Sequence, residues 1–219
     1  MERFESGTES VSLSAAMSVL LQKNAVQKMV LLEHLQSWTG AKFRPYLEFA
    51  NNQILGKIAS EVNKLQRGGE YTLSELWLGS YFQDAFIIPK IPSVSIQWID
   101  DEIGWGIFAE SSFQSMEFIA EYTGLVRKRC SQDRTNAYCF EYLLAQGHST
   151  PYVIDACDQG GLSRYVNHSD EPNLLSALAI YEGIAHVVLY TKRAVAKGEQ
   201  LCYDYGSTYW KHRKKRRVL

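Results

Sequence analysis

The sequence predicts an α+β chain, helical over residues 1–90 and mainly β over residues 91–210, with a basic tail at residues 211–219. Three observations predict it. Apolar residues recur near the helical period from Leu13 to Phe82. The pattern breaks at Pro89 and Pro92. Beyond the prolines, short β-branched or aromatic runs alternate with Gly, Asp and Ser clusters, the signature of several small sheets.

Residues 1–10 are polar. A first helix is expected where Leu13, Met17, Leu20, Leu21, Met29, Leu32 and Leu35 recur. A second is expected from Pro45, a good first-turn residue, through Leu47, Ile54, Ile58, Val62 and Leu65 to the stop at Gly68-Gly69. Thr72 with Glu75 reads as a capping box opening a third helix with Leu76, Trp77 and Phe82. These helices serve either to pack on the following domain or to dock a partner or a second copy. Strands are expected at Val94–Trp98, Phe118–Tyr122, Tyr138–Tyr142, Tyr152–Asp155, Ala179–Tyr181, His186–Thr191 and Leu201–Tyr203.

Composition narrows the class. With 46% apolar and 21% charged residues in 219, a sizeable core is expected and disorder is not. No apolar run approaches the roughly 20 residues of a membrane span, and the N-terminus lacks the basic-then-apolar pattern of a secretory signal. Cys130, Cys139, Cys157 and Cys202 form no Cys-x-x-Cys pair, so no metal site is expected. They read as buried thiols in a reducing compartment. The net charge of −1 hides an asymmetry: Lys211 to Arg217 holds six Lys/Arg. Without them 17 Lys/Arg stand against 24 Asp/Glu, a body of −7. An acidic body attracts a basic substrate, and a basic tail contacts an acidic surface or nucleic acid.

Five short motifs carry chemistry. Gly104-Trp105-Gly106 lies between two strand candidates, where glycine lets backbone approach a ligand. Glu121-Tyr122-Thr123-Gly124 is a strand running into a turn, and Tyr138 stands in a further aromatic run. Ser163-Arg164-Tyr165-Val166-Asn167-His168-Ser169 continues through Asp170 and Glu171 to Pro172-Asn173. Taken singly, Arg164 reads as an ion-pair partner and His168 as a core histidine. Tyr203-Asp204-Tyr205-Gly206 follows, then Thr208-Tyr209-Trp210.

Asn-His-Ser-x-x-Pro-Asn followed by Tyr-Asp-Tyr-Gly resembles the SET-domain protein lysine methyltransferases, over roughly residues 94–210. The resemblance implies small β-sheets around a C-terminal pseudoknot, with the C-terminal segment passing beneath a loop near Asn167-His168. It implies S-adenosylmethionine as cofactor and no metal. Gly104, Trp105, Gly106, Arg164, Asn167, His168 and Trp210 are then cofactor-binding: Asn167 on the amino-acid part, the His168 backbone on the adenine edge, Trp210 near the adenine. Tyr205 is the catalytic tyrosine, and Tyr122, Tyr138 and Tyr203 line the lysine channel. A tyrosine at 203, where relatives carry Phe or Tyr, implies mono- or dimethylation. Asp170 stands where many relatives carry a zinc-binding cysteine, so the lid over the substrate is built differently here.

The chemistry suits aromatic hydroxyls. Methyl transfer from a sulfonium is an in-line displacement that needs a neutral amine, and a free lysine has a pKa of about 10.4. A narrow desolvated channel and an adjacent cation disfavour the ammonium form. What remains is alignment and electrostatic support. The expected substrate is a basic protein such as a histone or histone-like protein, with Lys211–Arg217 available for non-specific nucleic acid contact. A short chain with a helical start, no flanking cysteine clusters and a basic tail is also similar in layout to the chlamydial SET proteins. That layout implies a bacterial cytoplasm with export into a host cell and its nucleus. The alternative is a catalytically silent SET module that binds a partner through its helices.

Overall fold

The structure is a computed structural model, and it describes residues 11–12, 36–37, 39–88, 91–211 and 213. The expected helix at Leu13–Leu35 and the tail beyond Arg213 lie outside the described residues. In chain order the elements are β1 (Val11–Ser12), β2 (Lys42–Phe43), β3 (Glu48–Phe49), α1 (Asn52–Gly68), α2 (Leu73–Tyr81) and α3 (Gln83–Ile87). Then come β4 (Val94–Asp100), β5 (Gly104–Ala109), β6 (Phe118–Glu121), β7 (Leu125–Lys128), β8 (Cys139–Glu141) and β9 (Tyr152–Asp155). The chain closes with β10 (Gln159–Gly160), β11 (Asn167–His168), β12 (Leu174–Tyr181), β13 (Ile184–Thr191), β14 (Cys202–Tyr203) and the single turn α4 (Ser207–Trp210).

The strands form five small sheets, in the orders β1-β4-β5, β10-β2, β11-β14, β12-β13-β6 and β3-β7-β9-β8. The pairing of β11 with β14 is parallel, Asn167 opposite Cys202 and His168 opposite Tyr203. It brings the two strongest motifs of the sequence side by side. The Asn173 side chain fixes the pairing from beyond its end: its amide donates to the Gln200 carbonyl at 2.8 Å and its oxygen accepts from the Cys202 amide at 2.9 Å.

The helical region starts later than Pro45. Glu48–Phe49 is drawn into a parallel pairing with Leu125–Val126, and α1 begins where Asn51 caps it by accepting from the Ile54 amide at 3.0 Å. A helix with Pro45 in its first turn would be capped by Arg44, whose side chain has no acceptor. The predicted stop holds, with Gly69 left-handed at φ 69°. The Thr72–Glu75 capping box is formed on both sides and opens α2. Ile54, Ile58, Val62 and Leu65 face one core with Tyr122, Val126, Tyr142 and Ile154. Burying each of these aliphatic side chains contributes about 1.5–3 kcal/mol. Leu78 and Phe82 add a second contact, against Ala179, Val188 and Tyr190 of the β12-β13 hairpin. Gly79 is the point of closest approach, where a Cβ would collide with the Ile180 carbonyl oxygen. The helices and the β portion therefore share cores. Trp77, read as part of the apolar pattern, is half exposed and stacks on Tyr81 at 4.6 Å.

Two further expectations change. Gly104-Trp105-Gly106 is not a connector: it is the start of β5, paired with β4, with Trp98 opposite Trp105. Only Cys202 is buried; Cys130 and Cys157 are exposed and Cys139 is intermediate. Isolated cysteines carry no periodicity from which burial is legible. Among the described residues no helix is long and apolar enough to cross a membrane.

Candidate active site

One cavity of 1510 Å³ opens where β11, β14, the start of β5 and the turn after β7 meet. Of the residues singled out from the sequence, Trp105, Tyr122, Tyr138, Arg164, Asn167, His168, Tyr203, Tyr205 and Trp210 line it. Gly104 and Gly106 stand behind the wall. Gly104 is left-handed at φ 81°. A Cβ on Gly106 would come within 3.1 Å of Asn167 Nδ2 and 2.9 Å of Gln200 Nε2. The absence of that Cβ lets the Asn167 amide donate to the Trp105 carbonyl at 3.0 Å.

Tyrosines make a further part of the lining. The Tyr205 hydroxyl donates to the Val166 carbonyl at 2.9 Å, and the Tyr122 hydroxyl donates to the Tyr138 carbonyl at 2.9 Å. Each phenol has a single hydrogen. With that hydrogen committed to backbone, each oxygen presents only acceptor lone pairs to the cavity. The Tyr203 ring lies 4.8 Å from Tyr205, and Phe140 lies 4.8 Å from Tyr122. Burial holds all three phenols, Tyr122, Tyr203 and Tyr205, well above their usual pKa, and neighbouring tyrosines push them further the same way. They are neutral at physiological pH. The Cys139 thiol is pushed up to about 12 by burial and by Asp133 and Asp155 nearby, which removes it as a thiolate nucleophile.

Arg164 acts as a brace. Its Nε donates to the Ala156 carbonyl at 2.8 Å, Nη2 to the Cys157 carbonyl at 2.9 Å and Nη1 to the Tyr165 hydroxyl at 2.9 Å. Its face covers the Tyr138 ring at 4.3 Å. The expected cofactor contact thus competes with three donors already engaged inside the protein. Trp210 lies parallel to Tyr205 at 6.0 Å and edge-on to His168 at 4.9 Å.

Four residues that carry no assigned contact in the sequence reading stand at the site. Tyr209 stands edge-on to Tyr205 at 4.7 Å. Asp170 bonds His168 Nε2 at 3.1 Å. Phe140 walls the channel, and Arg213 reaches back over the C-terminal turn. Tyr209 and Asp170 are adjacent to residues of the recognised motifs, which was the available signal; Arg213 was hidden in a run of like charges. The charge expected of the site also differs. The cavity is mixed in sign, with Lys128, Arg129, Arg134 and Lys211 beside Glu102 and Glu141. Arg129 and Glu141 pair at 2.9 Å, and Asp133 is taken by Arg127 at 2.6 Å. A net-acidic body does not make this wall acidic.

The SET domain family matches residues 104–206. The chain is 33% identical over 111 residues to histone-lysine N-methyltransferase set-2 of Caenorhabditis elegans, covering 47% of this chain and 7% of that protein. It is 33% identical over 109 residues to histone-lysine N-methyltransferase ATXR7 of Arabidopsis thaliana, covering 46% and 7%. It is 36% identical over 107 residues to the H3 lysine-4 specific histone-lysine N-methyltransferase of Chaetomium globosum, covering 46% and 10%. The chain thus spans a tenth or less of the length of these curated relatives. Among solved structures, KRYPTONITE in complex with mCHG DNA and SAH aligns with TM-score 0.42 and 29% identity, over 49% of this chain and 22% of that one. Over residues 104–206, just under half of its length, this chain is similar to the SET domain family.

Proposed function

We propose that this chain is an S-adenosylmethionine-dependent protein lysine N-methyltransferase that adds one or two methyl groups to a basic protein such as a histone or histone-like protein. The observation that carries the reading is the set of neutral tyrosines, Tyr122, Tyr203 and Tyr205, lining the same cavity as Trp105, Asn167 and Trp210. Relatives named as histone-lysine N-methyltransferases support the reaction class.

The residues fit the cofactor. Ser163 Oγ and Trp210 Nε1 belong to cavity-lining residues and are buried with no partner among the described residues. Such atoms are costly unless a polar ligand satisfies them. Asn167, Trp105 and Trp210 would hold the group, with the His168 backbone at its edge. When bound, it supplies an electrophilic methyl on a sulfonium. This chain supplies the rest. The aromatic walls strip water from the target amine and lower its pKa, favouring the neutral nucleophile. The oxygens of Tyr205 and Tyr122, acceptor-only toward the cavity, accept the amine's N–H groups and aim its lone pair. They also offer weak C–H···O contacts to a polarised methyl. Neither phenol takes the amine proton, because only a phenolate could accept it and burial holds both side chains as neutral phenols. The proton leaves to solvent through the open groove.

The test is methyl transfer from radiolabelled S-adenosylmethionine to a panel of histones and bacterial basic proteins, with Tyr205→Phe alongside. Labelling by the wild type, reduced about 10²–10³-fold in the mutant as for removal of one preorganised polar group, supports the reading. Cofactor binding by calorimetry without labelling of any panel protein overturns it in favour of a partner-binding module.

A further inference from the structure

We propose that Arg213 is a positioning residue of this site: it clasps the C-terminal turn to the 131–136 turn and thereby fixes Tyr209 and Trp210 against Tyr205. The inference rests on reading the cavity as the methyl-transfer site.

The need for a clasp is local. α4 is one turn long, has no side-chain cap and buries none of its four residues. An isolated helical turn does not hold itself, because its first hydrogen bond costs more ordering entropy than it returns. Yet this turn carries the two rings that back Tyr205. Arg213 supplies what the turn lacks. Its guanidinium stacks on the Tyr209 ring at 4.2 Å, and Nη1 donates to the Tyr209 carbonyl at 2.9 Å. Nη2 donates to the Asp133 carbonyl at 3.0 Å and to the Asn136 carbonyl at 2.6 Å. One planar group thus joins segments 77 to 80 residues apart in the chain.

The far side of the clasp is firmly built. The Asp133 carboxylate accepts from Arg127 Nη2 at 2.6 Å, from Arg127 Nη1 at 3.2 Å and from the Cys130 amide at 2.7 Å. Asn136 donates to Asp155 at 2.9 Å, and Arg127 reaches the same Asp155 at 2.7 Å. The 131–136 turn is therefore tied to β7 and β9, and the cavity lies between it and the C-terminal turn. Three carbonyls and an aromatic face call for the fork and plane of a guanidinium; an ammonium satisfies only part of the set. This use of Arg213 is separate from the charge of the residues that follow it.

The experiment compares full-length wild type, Arg213→Ala, Arg213→Lys and the control pair Lys214→Ala with Lys215→Ala. The readouts are the S-adenosylmethionine dissociation constant by calorimetry, the unfolding midpoint, and exchange without cofactor of the hydrogen-bonded amides of the C-terminal turn, Tyr209 and Lys211. Arg213→Ala is expected to weaken cofactor binding at least tenfold with little change in the global unfolding midpoint, and to speed exchange at both amides at least tenfold. Arg213→Lys recovers part of the affinity, and the control pair stays within twofold of wild type. If Arg213→Ala destabilises the whole fold, Tyr209→Ala, which removes the face Arg213 stacks on together with one ring behind Tyr205, is expected to give the same loss of affinity. Exchange and affinity within twofold of wild type in Arg213→Ala overturn the proposal. So does an equal loss of affinity in the control pair, which would make tail charge the cause. A wild type that binds cofactor but methylates nothing sinks the methyltransferase reading and leaves these comparisons intact.

Discussion

The main-chain amide of Tyr205 donates to Nδ1 of His168 at 3.3 Å, across 37 residues of chain. A backbone N–H only donates, so Nδ1 is the acceptor and Nε2 is the ring nitrogen that carries a proton. That proton points at Asp170 Oδ1, 3.1 Å away. Asp170 thus fixes the tautomer that positions the backbone of Tyr205. Its ordinary surface alternative, a solvated carboxylate, would leave the imidazole free to present either nitrogen.

Asp170→Ala is expected to lower kcat about three- to tenfold, the loss of roughly one hydrogen bond's net worth, with the KM for peptide little changed. The outcome against this is a KM that rises while kcat holds, measured by steady-state kinetics with a labelled peptide.

Gly106→Ala places a methyl where the Asn167 amide and the Gln200 amide already stand. Ile99 is a flexible neighbour that yields, but Asn167 moves only by giving up its bond to the Trp105 carbonyl. Cofactor affinity is expected to fall at least tenfold, with the fold retained. Calorimetry alongside a melting curve checks it, and undiminished affinity would remove Gly106 from the account.

Tyr203 is buried 4.8 Å from the Tyr205 ring, and burial keeps its hydroxyl protonated. A hydroxyl there occupies volume that a methylated amine needs. Tyr203→Phe is expected to shift product toward higher methylation states, read by mass spectrometry of a methylated peptide. An unchanged product distribution means that the hydroxyl does not limit the state.

The anchor of the 131–136 turn is acid-sensitive. Burial alone would raise the Asp133 pKa from 3.8, but the bonds from Arg127 and from the Cys130 amide outweigh it and hold the carboxyl below that value. A depressed folded pKa means the unfolded chain binds the proton first as pH falls. The stabilisation is complete well above pH 3.8 and is lost as pH drops through the lower folded value. In Asp133→Asn the turn should exchange amides faster at neutral pH and lose the acid dependence that wild type shows. Parallel slopes of stability against pH below 4 for both proteins would contradict this.

The sequence by itself determined the chemistry-bearing motifs and much of the local structure. The body of α1 from Ile54 to Leu65, the Thr72–Glu75 box and the stop at Gly69 are settled by local periodicity and caps, within a few residues. The Asn167-His168 and Tyr203–Tyr205 segments were legible because many chemical constraints fall on few positions. Only the tertiary structure decided what those segments face. Glu48–Phe49 reads as helix until Leu125–Val126 offers it a parallel edge. Taken singly, Arg164 reads as an ion-pair partner until the carbonyls of Ala156 and Cys157 and the Tyr165 hydroxyl come to it. Arg213 reads as one charge in a basic run until the 131–136 turn brings two carbonyls to it. Net charge predicts an acidic site, whereas burial and pairing leave a cavity of mixed sign. The reason is common to all four. Hydrogen-bond partners and charge neighbours lie tens of residues away in the chain, and no local period or propensity encodes which of them will arrive.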